Sequence, residues 1–354
     1  MFLFLLYYLY LSMIVFGQSQ EWLGRAIPPG TLNYQEGTIY MTAQVIVLPN
    51  HKGGVTKTSS SATFLVLLHL LGTRVLGIDT DPQSNMSSLF GYKTPIRENT
   101  TAYDAIMGQI PLQATIRRTY IHPDGNAFYV PRSEAEVVAG TRFGPYISPM
   151  GFKGTDADNE LKNSEDILFW PNQLKNVIAP LRETFDYIIV DTPPSLGTLT
   201  TNALVAADYL VIPMTPEIFA LEGLSRLLGT IQRVKQQTQS HLRLIGMFLS
   251  KVQTYRSHRD IADILISSST LDALLHVLQG ENLRLLNTVI KQNAAFGESL
   301  NKKSLLVIDK PNNENTFTYW FLLNEILEQV GGPAAPKVQQ VVNKIKERTG
   351  GETR

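Results

Sequence analysis

"VLPNHKGGVTKTSS", residues 47–60, decides the fold. An apolar run closes at Pro49, two glycines follow, and Lys57-Thr58 opens a long helix-compatible stretch. Glycines at 53 and 54 let backbone N–H groups approach phosphate oxygens. Lys57 reaches the terminal phosphates, and the Thr58 hydroxyl can ligate Mg²⁺ at the positive end of a helix. The stretch Gly53, Gly54, Val55, Thr56, Lys57, Thr58 and Ser59 is therefore expected to wrap a phosphate chain. The ordinary loop of this kind reads G-x-x-x-x-G-K-[ST]. Here Thr56 precedes the lysine and a second lysine, Lys52, opens the loop, giving K-G-G-x-x-K-[ST].

Outward from the loop, short β-branched runs alternate with helical stretches, the pattern of a parallel sheet wrapped by helices. "QVIVLP" (44–49), "RVLGID" (74–79), "DYIIVD" (186–191), "DYLVIP" (208–213) and "RLIGMFLS" (243–250) read as strands. "SLLVID" (304–309) reads as a last strand before a closing helix at about 315–330. The fold expected is α/β, a doubly wound, mostly parallel sheet flanked by helices. Residues 141–166 are rich in Gly, Pro and charge without periodicity and read as a surface insertion. "GGPAAP" (331–336) reads as a linker, so 331–354 is expected to be a linker and polar tail.

The chain has 354 residues, 44% of them hydrophobic, enough for one large α/β domain or two small ones. Lys+Arg and Asp+Glu both number 31, so any polyanion must be met by a local patch. The absence of cysteine excludes disulfides, thiolate zinc sites and cysteine-ligated iron–sulfur clusters. Residues 1–16, "MFLFLLYYLYLSMIVF", look like targeting, but the first cation is Arg25 and the run is shorter than the ~20 residues of a spanning helix. "QEG" (35–37) can be encoded by a bacterial ribosome-binding sequence upstream of Met41. Residues 1–40 are thus expected to lie outside the fold, as a mis-called start or else an apolar anchor, with the domain running from 41 to 330.

The K-G-G-x-x-K-[ST] loop resembles that of the deviant Walker-A P-loop NTPases, and further strings resemble the ParA/Soj partition branch. "GIDTDPQSNMSSLFG" (77–91) is similar to its D-x-D-P-Q-x-N segment. "FDYIIVDTPPSLGTLTTNALVAADYLVIPMTPEIFALEGLSRLL" (185–228) is similar to its Walker-B, switch and base-binding segments, and "LNTVIKQNAAFGES" (286–299) more loosely to a C-terminal motif. The resemblance implies an ATPase using Mg²⁺, slow alone and stimulated by a partner. Lys52 would cross a dimer interface to the other subunit's phosphates, and Asp81 would orient the attacking water. Asp79 would support the metal region, and Asp191 would hold Mg²⁺ through a water, with Thr58. Pro193 and Pro194 would stiffen the γ-phosphate-sensing loop, while Pro213, Pro216 and Glu217 would lie on the adenine side.

The same resemblance implies an ATP-sandwiched homodimer, a ParB-like activator and non-specific DNA as partners. The place would be the cytoplasm, on the nucleoid, and the process plasmid or chromosome partition. Residues 1–40 are too few for a winged-helix domain, so DNA contact falls to basic residues of the ATPase domain: Arg256, Arg259, Lys302 and Lys303, with Lys251, His258 and Lys291 nearby. Where family members often carry an arginine, this chain has Ala295. His51 and His258 lack metal-ligand company, so no metal beyond Mg²⁺ is expected. The alternative is a MinD-like positioning switch on a membrane or protein assembly. Its sequence feature would be the stripe Val338, Val341, Val342 and Ile345 with flanking lysines, although that stripe lacks Leu, Phe or Trp.

Overall fold

The computed structural model describes residues 42–92, 100–124, 127–130, 137, 139–151, 170–217, 220–238, 241–253, 284–302 and 304–349. Eight strands form one sheet: β1 (Gln44–Val47), β2 (Val75–Asp79), β3 (Arg117–Ile121), β4 (Phe128–Tyr129), β5 (Arg142–Ser148), β6 (Tyr187–Asp191), β7 (Tyr209–Met214) and β8 (Arg243–Leu249). Their order is β4-β3-β5-β2-β6-β1-β7-β8. The six strands from β5 to β8 in that order run parallel, and β3 and β4 add an antiparallel edge.

Period-two alternation builds a core on each face. Val45 and Val47 of β1 and Ile188 and Val190 of β6 face one apolar cluster, whereas Ile46, Leu48, Tyr187 and Ile189 face the other. Over the first face lie α3 (Ala102–Ile106), α4 (Gln173–Ile178), α5 (Thr198–Ala206) and α6 (Ala220–Thr238). Over the second lie α1 (Lys57–Leu70), α2 (Asn85–Leu89), α8 (Leu306–Asp309), α9 (Glu314–Val330) and α10 (Ala335–Arg348); α7 (Ala294–Asn301) precedes α8. Ser60 through Leu68 of α1 are almost all buried, which is why this helix shows no polar stripe: sheet and α9 enclose it.

The expected doubly wound, mostly parallel sheet is observed, and five expected strands fall at β1, β2, β6, β7 and β8. Three expectations are corrected. Leu306–Asp309 is a short helix rather than a strand, because a four-residue apolar run has no period of its own and packing decides it. Residues 142–148, expected within a surface insertion, are β5, paired to β2 on one side and β3 on the other. The expected polar tail is α10, whose Val338, Val341, Val342 and Ile345 are buried against the second core. That stripe is spent on the domain itself. Lys337 Nζ donates to Leu71 O at 2.9 Å, placing a cation at the C-terminal end of α1. Residues 1–41 and 152–169 lie outside the described residues.

Candidate nucleotide-binding site

In an open α/β sheet, ligands settle beyond the carboxyl ends of the strands. Here the loops after β1, β2, β6, β7 and β8 gather at that edge. The β1 loop is pinned by Asn50, whose Nδ2 donates to Pro213 O at 2.5 Å and whose Oδ1 accepts Lys52 N at 2.8 Å. Gly54 (φ 76°) and Thr56 (φ 66°) then take left-handed backbone to swing the chain into α1. For a β-branched residue such as Thr56 this is a strained conformation. Its side chain makes no cap for α1, and among the described residues no partner engages the backbone amides from Gly53 to Thr58. The result is a row of free donors at a helix N-terminus, which suits an anion.

Lys57 points inward. It is 6% exposed, and its ammonium donates to Lys52 O at 3.0 Å. Burial pulls its pKa down, and the charges of Asp191 and Asp81 pull it back up. Lys52 points outward instead, and its ammonium pairs with the Glu217 carboxylate across 165 residues of sequence. With the two side chains 35% and 49% exposed, such a pair contributes at most about 1 kcal/mol and is easily exchanged. Ser59 Oγ donates to Thr56 O at 3.1 Å, which fixes the start of α1. Pro194 lies 3.9 Å from where a Cβ on Gly53 would stand, so the loop after β6 overhangs the β1 loop.

Asp79 and Asp191 are neighbours across β2 and β6, both fully buried. Burial pushes both carboxyls up, and the charge of Asp79 adds to the push on Asp191. Asp191 Oδ1 accepts Ser61 Oγ at 3.2 Å and the Thr58 hydroxyl lies against the carboxylate, yet Oδ2 has no partner among the described residues. A buried carboxylate with an unused oxygen beside a helix-start hydroxyl fits a hard divalent cation with oxygen ligands. Asp79 does not share that geometry. Its Oδ1 accepts Asp81 N at 3.0 Å, and its Oδ2 accepts Ser87 N at 2.9 Å and Ser87 Oγ at 2.6 Å. These bonds use it to shape the 80–87 loop, beside the Asp191 carboxylate on the neighbouring strand.

Asp81 sits at the edge of that loop. Its Oδ1 accepts Gln83 N at 2.9 Å, and burial raises its pKa while Gln83 and Lys57 hold it down. Pro213 lies near the end of β7 and accepts from Asn50 through its carbonyl, and the following loop carries Pro216 and Glu217, the latter paired with Lys52. Unpartnered polar atoms also collect at this edge: His51 Nδ1, Thr192 Oγ1 and Thr215 Oγ1. Sequence reading missed Asn50, Ser61, Ser87 and Ser250 at this site. Asn50, next to the loop, was the one with a signal, since a side-chain amide there can imitate a backbone turn.

Of the basic residues expected to meet DNA, Arg256, Arg259 and Lys303 lie outside the described residues, as does His258. Lys302 pairs at 3.1 Å with Asp309, whose side chain is almost fully buried, and Lys291 pairs at 3.0 Å with Glu314. Both cations are therefore partly neutralised where they stand.

Comparison with known proteins gives the family. The family model AAA_31, described as an AAA domain, matches residues 43–244. The chromosome-partitioning ATPase Soj of Treponema pallidum is 32% identical over 256 residues, which is 72% of this chain and 86% of that protein. This chain belongs to the ParA/Soj family of partition ATPases. The sporulation initiation inhibitor protein Soj of Bacillus subtilis is 28% identical over 80% of this chain and 98% of its own length. Among solved structures, apo McdA of Cyanothece matches with TM-score 0.61 at 19% identity, over 80% of this chain and 99% of that one. A plasmid partition protein of Borrelia burgdorferi bound to AMPPNP matches with TM-score 0.57 at 22% identity, over 81% and 99%. Cobyrinic acid a,c-diamide synthase of Mycobacterium smegmatis, with an ATP analogue and magnesium, matches with TM-score 0.60 at 24% identity, over 82% and 96%. At these identities the structural matches establish the fold.

Proposed function

We propose that this partition ATPase hydrolyses ATP with Mg²⁺ and works as an ATP-sandwiched homodimer. The dimer binds DNA without sequence preference, and a ParB-like partner stimulates its turnover. The setting is plasmid or chromosome partition on the nucleoid, in the cytoplasm. The observation that carries this reading is the division between the two lysines. Lys57 fills the inside of the loop, whereas Lys52 leaves it and ends at the rim on an exchangeable carboxylate. A cation so placed is badly aimed at its own phosphates and well aimed at a facing subunit's.

Thr58 and Asp191 would hold Mg²⁺, Asp191 through a water, and a structural neighbour was solved with an ATP analogue and magnesium. Bound there, the ion neutralises phosphate charge as it develops. The chain's own residues do the rest by positioning. Free amides from Gly53 to Thr58 cradle the phosphates, Lys57 neutralises them from inside, and Asp81 orients the attacking water. Burial of Asp79 against Ser87 keeps the Asp81 loop in place.

The membrane-switch alternative loses its feature, because the α10 stripe is packed in the core. No helix among the described residues is long and apolar enough to cross a membrane. Light scattering of Asp81→Ala, which should trap bound ATP, tests the dimer with and without Lys52→Ala. ATP should double the mass of the first protein and leave the second monomeric, with one nucleotide bound per chain in both. An unchanged dimer in the double variant would confine Lys52 to its own subunit.

A further inference from the structure

Lys251 follows β8 in left-handed backbone, φ 55°, a conformation that non-glycine residues hold only when their surroundings enforce it. Hydrogen bonds on both sides do so. Ser250 N donates to Met214 O at 2.7 Å, Val252 N to Ile290 O at 3.2 Å, and Gln292 N to Val252 O at 2.8 Å. Ser250 Oγ ties the same turn to the phosphate loop, donating to Val55 O at 3.3 Å and to Met214 O at 3.1 Å. The bend carries the Lys251 side chain over the loop: its Nζ lies 3.9 Å from where a Cβ on Gly54 would stand. Lys52, Lys291, Lys302 and Lys310 each pair with a carboxylate, but among the described residues none pairs with Lys251. An exposed cation is thus held against the loop with no carboxylate among the described residues paired to it.

The sheet order says which end of a nucleotide it meets. β1 carries the loop, the carboxylates of Asp79, Asp81 and Asp191 follow β2 and β6 on one side of it, and β7 and β8 lie on the other. Terminal phosphates held by Lys57 near Asp81 leave the sugar and base to run across the loop toward β7 and β8. Resting on the nucleotide reading above, we infer that Lys251 is a nucleoside-side contact. Its alkyl stem flanks the base and its ammonium sits over Gly54 beside the ribose. An alkyl stem against a flat base removes apolar surface from water, a gain independent of any phosphate.

Calorimetric titration of the full chain with Mg²⁺-ATP, Mg²⁺-ADP and inorganic tripolyphosphate tests this. Lys251→Ala should weaken ATP and ADP by the same factor, about tenfold, and leave tripolyphosphate unchanged. Lys251→Met, which keeps the stem, should recover part of the loss. Lys251→Gly, suited to the positive φ, should reproduce the alanine result if the alanine variant folds poorly. Equal ATP affinity in wild type and in the Ala or Gly variants would overturn the inference. So would a loss confined to ATP or shared by tripolyphosphate, since either marks a phosphate contact. If wild type binds no ATP while its melting curve shows it folded, the nucleotide reading itself falls, and the Lys251 role with it.

Discussion

At the carboxyl ends of the strands, Thr56, Ser84 and Lys251 hold positive φ (66°, 52° and 55°), the three non-glycine residues to do so among the described residues. Asp191 Oδ2, Thr192 Oγ1, Thr215 Oγ1 and His51 Nδ1 lie buried at the same edge without partners among the described residues. The α9–α10 layer is built the other way. Asn313 caps α9 by accepting Asn315 N at 3.0 Å, and the Tyr187 hydroxyl donates to Gly331 O and accepts Ala334 N in the turn between the helices. Leu322, Leu323, Ile326, Leu327, Val338 and Val342 close over α1 with almost no exposure. One region has its polar groups satisfied from within, and the other keeps strain and unused donors. A scaffold does the first for stability, whereas the second is what a polar ligand can complete.

The contrast can be broken at its functional end first. Asp81→Ala should still bind ATP but lose turnover by about 10²–10⁴-fold, the usual worth of a positioned acid–base group. Phosphate release at saturating ATP checks this, and wild-type turnover would remove Asp81 from the mechanism. At the scaffold end, Val338→Asp buries an unpaired carboxylate and should lower stability by about 3–5 kcal/mol in urea denaturation. A near-neutral result would mean that α10 detaches readily, and would bring back the membrane-facing stripe.

Thr56→Gly should sharpen the picture in the opposite direction. It relieves left-handed strain and should stabilise the fold by about 1–2 kcal/mol, less the backbone entropy that glycine adds, without loss of ATP binding. Destabilisation would show that the threonine side chain matters more than its backbone.

The smallest effect concerns His69, half-buried near the end of α1, whose Nε2 donates to Phe143 O at 2.9 Å. Burial lowers its pKa from 6.5 to about 4. Between those pH values the unfolded chain binds more protons, so stability should fall as the pH drops through that window, by on the order of 1 kcal/mol. His69→Gln, which keeps a donor, should flatten this part of the pH–stability curve. An unchanged slope would assign the acid sensitivity to other groups.

Sequence legibility followed the same division. β1, β2, β6, β7 and β8 were readable because each is a buried apolar run punctuated by turn residues. β5 was not: "RFGPYIS" carries Arg, Gly and Pro, and becomes a strand only because β2 and β3 supply partners on both sides. At the site, the loop lysines stood out from their spacing and Asp81 and Asp191 from the family resemblance, but the hydrogen bonds of Asp79 to Ser87 did not, since they depend on how the 80–87 loop closes.

By itself, then, the sequence determined the phosphate loop, the parallel sheet that presents it and the family to which both belong. These are local matters: glycines, a lysine and a hydroxyl at fixed spacing between a strand and a helix. Only the tertiary structure decided that Lys52 meets Glu217, that Lys251 leans over Gly54 and that the α10 stripe faces inward. Each joins residues more than a hundred positions apart or depends on a surface supplied by other elements. No propensity or period within one segment encodes which distant partner the fold will bring to it.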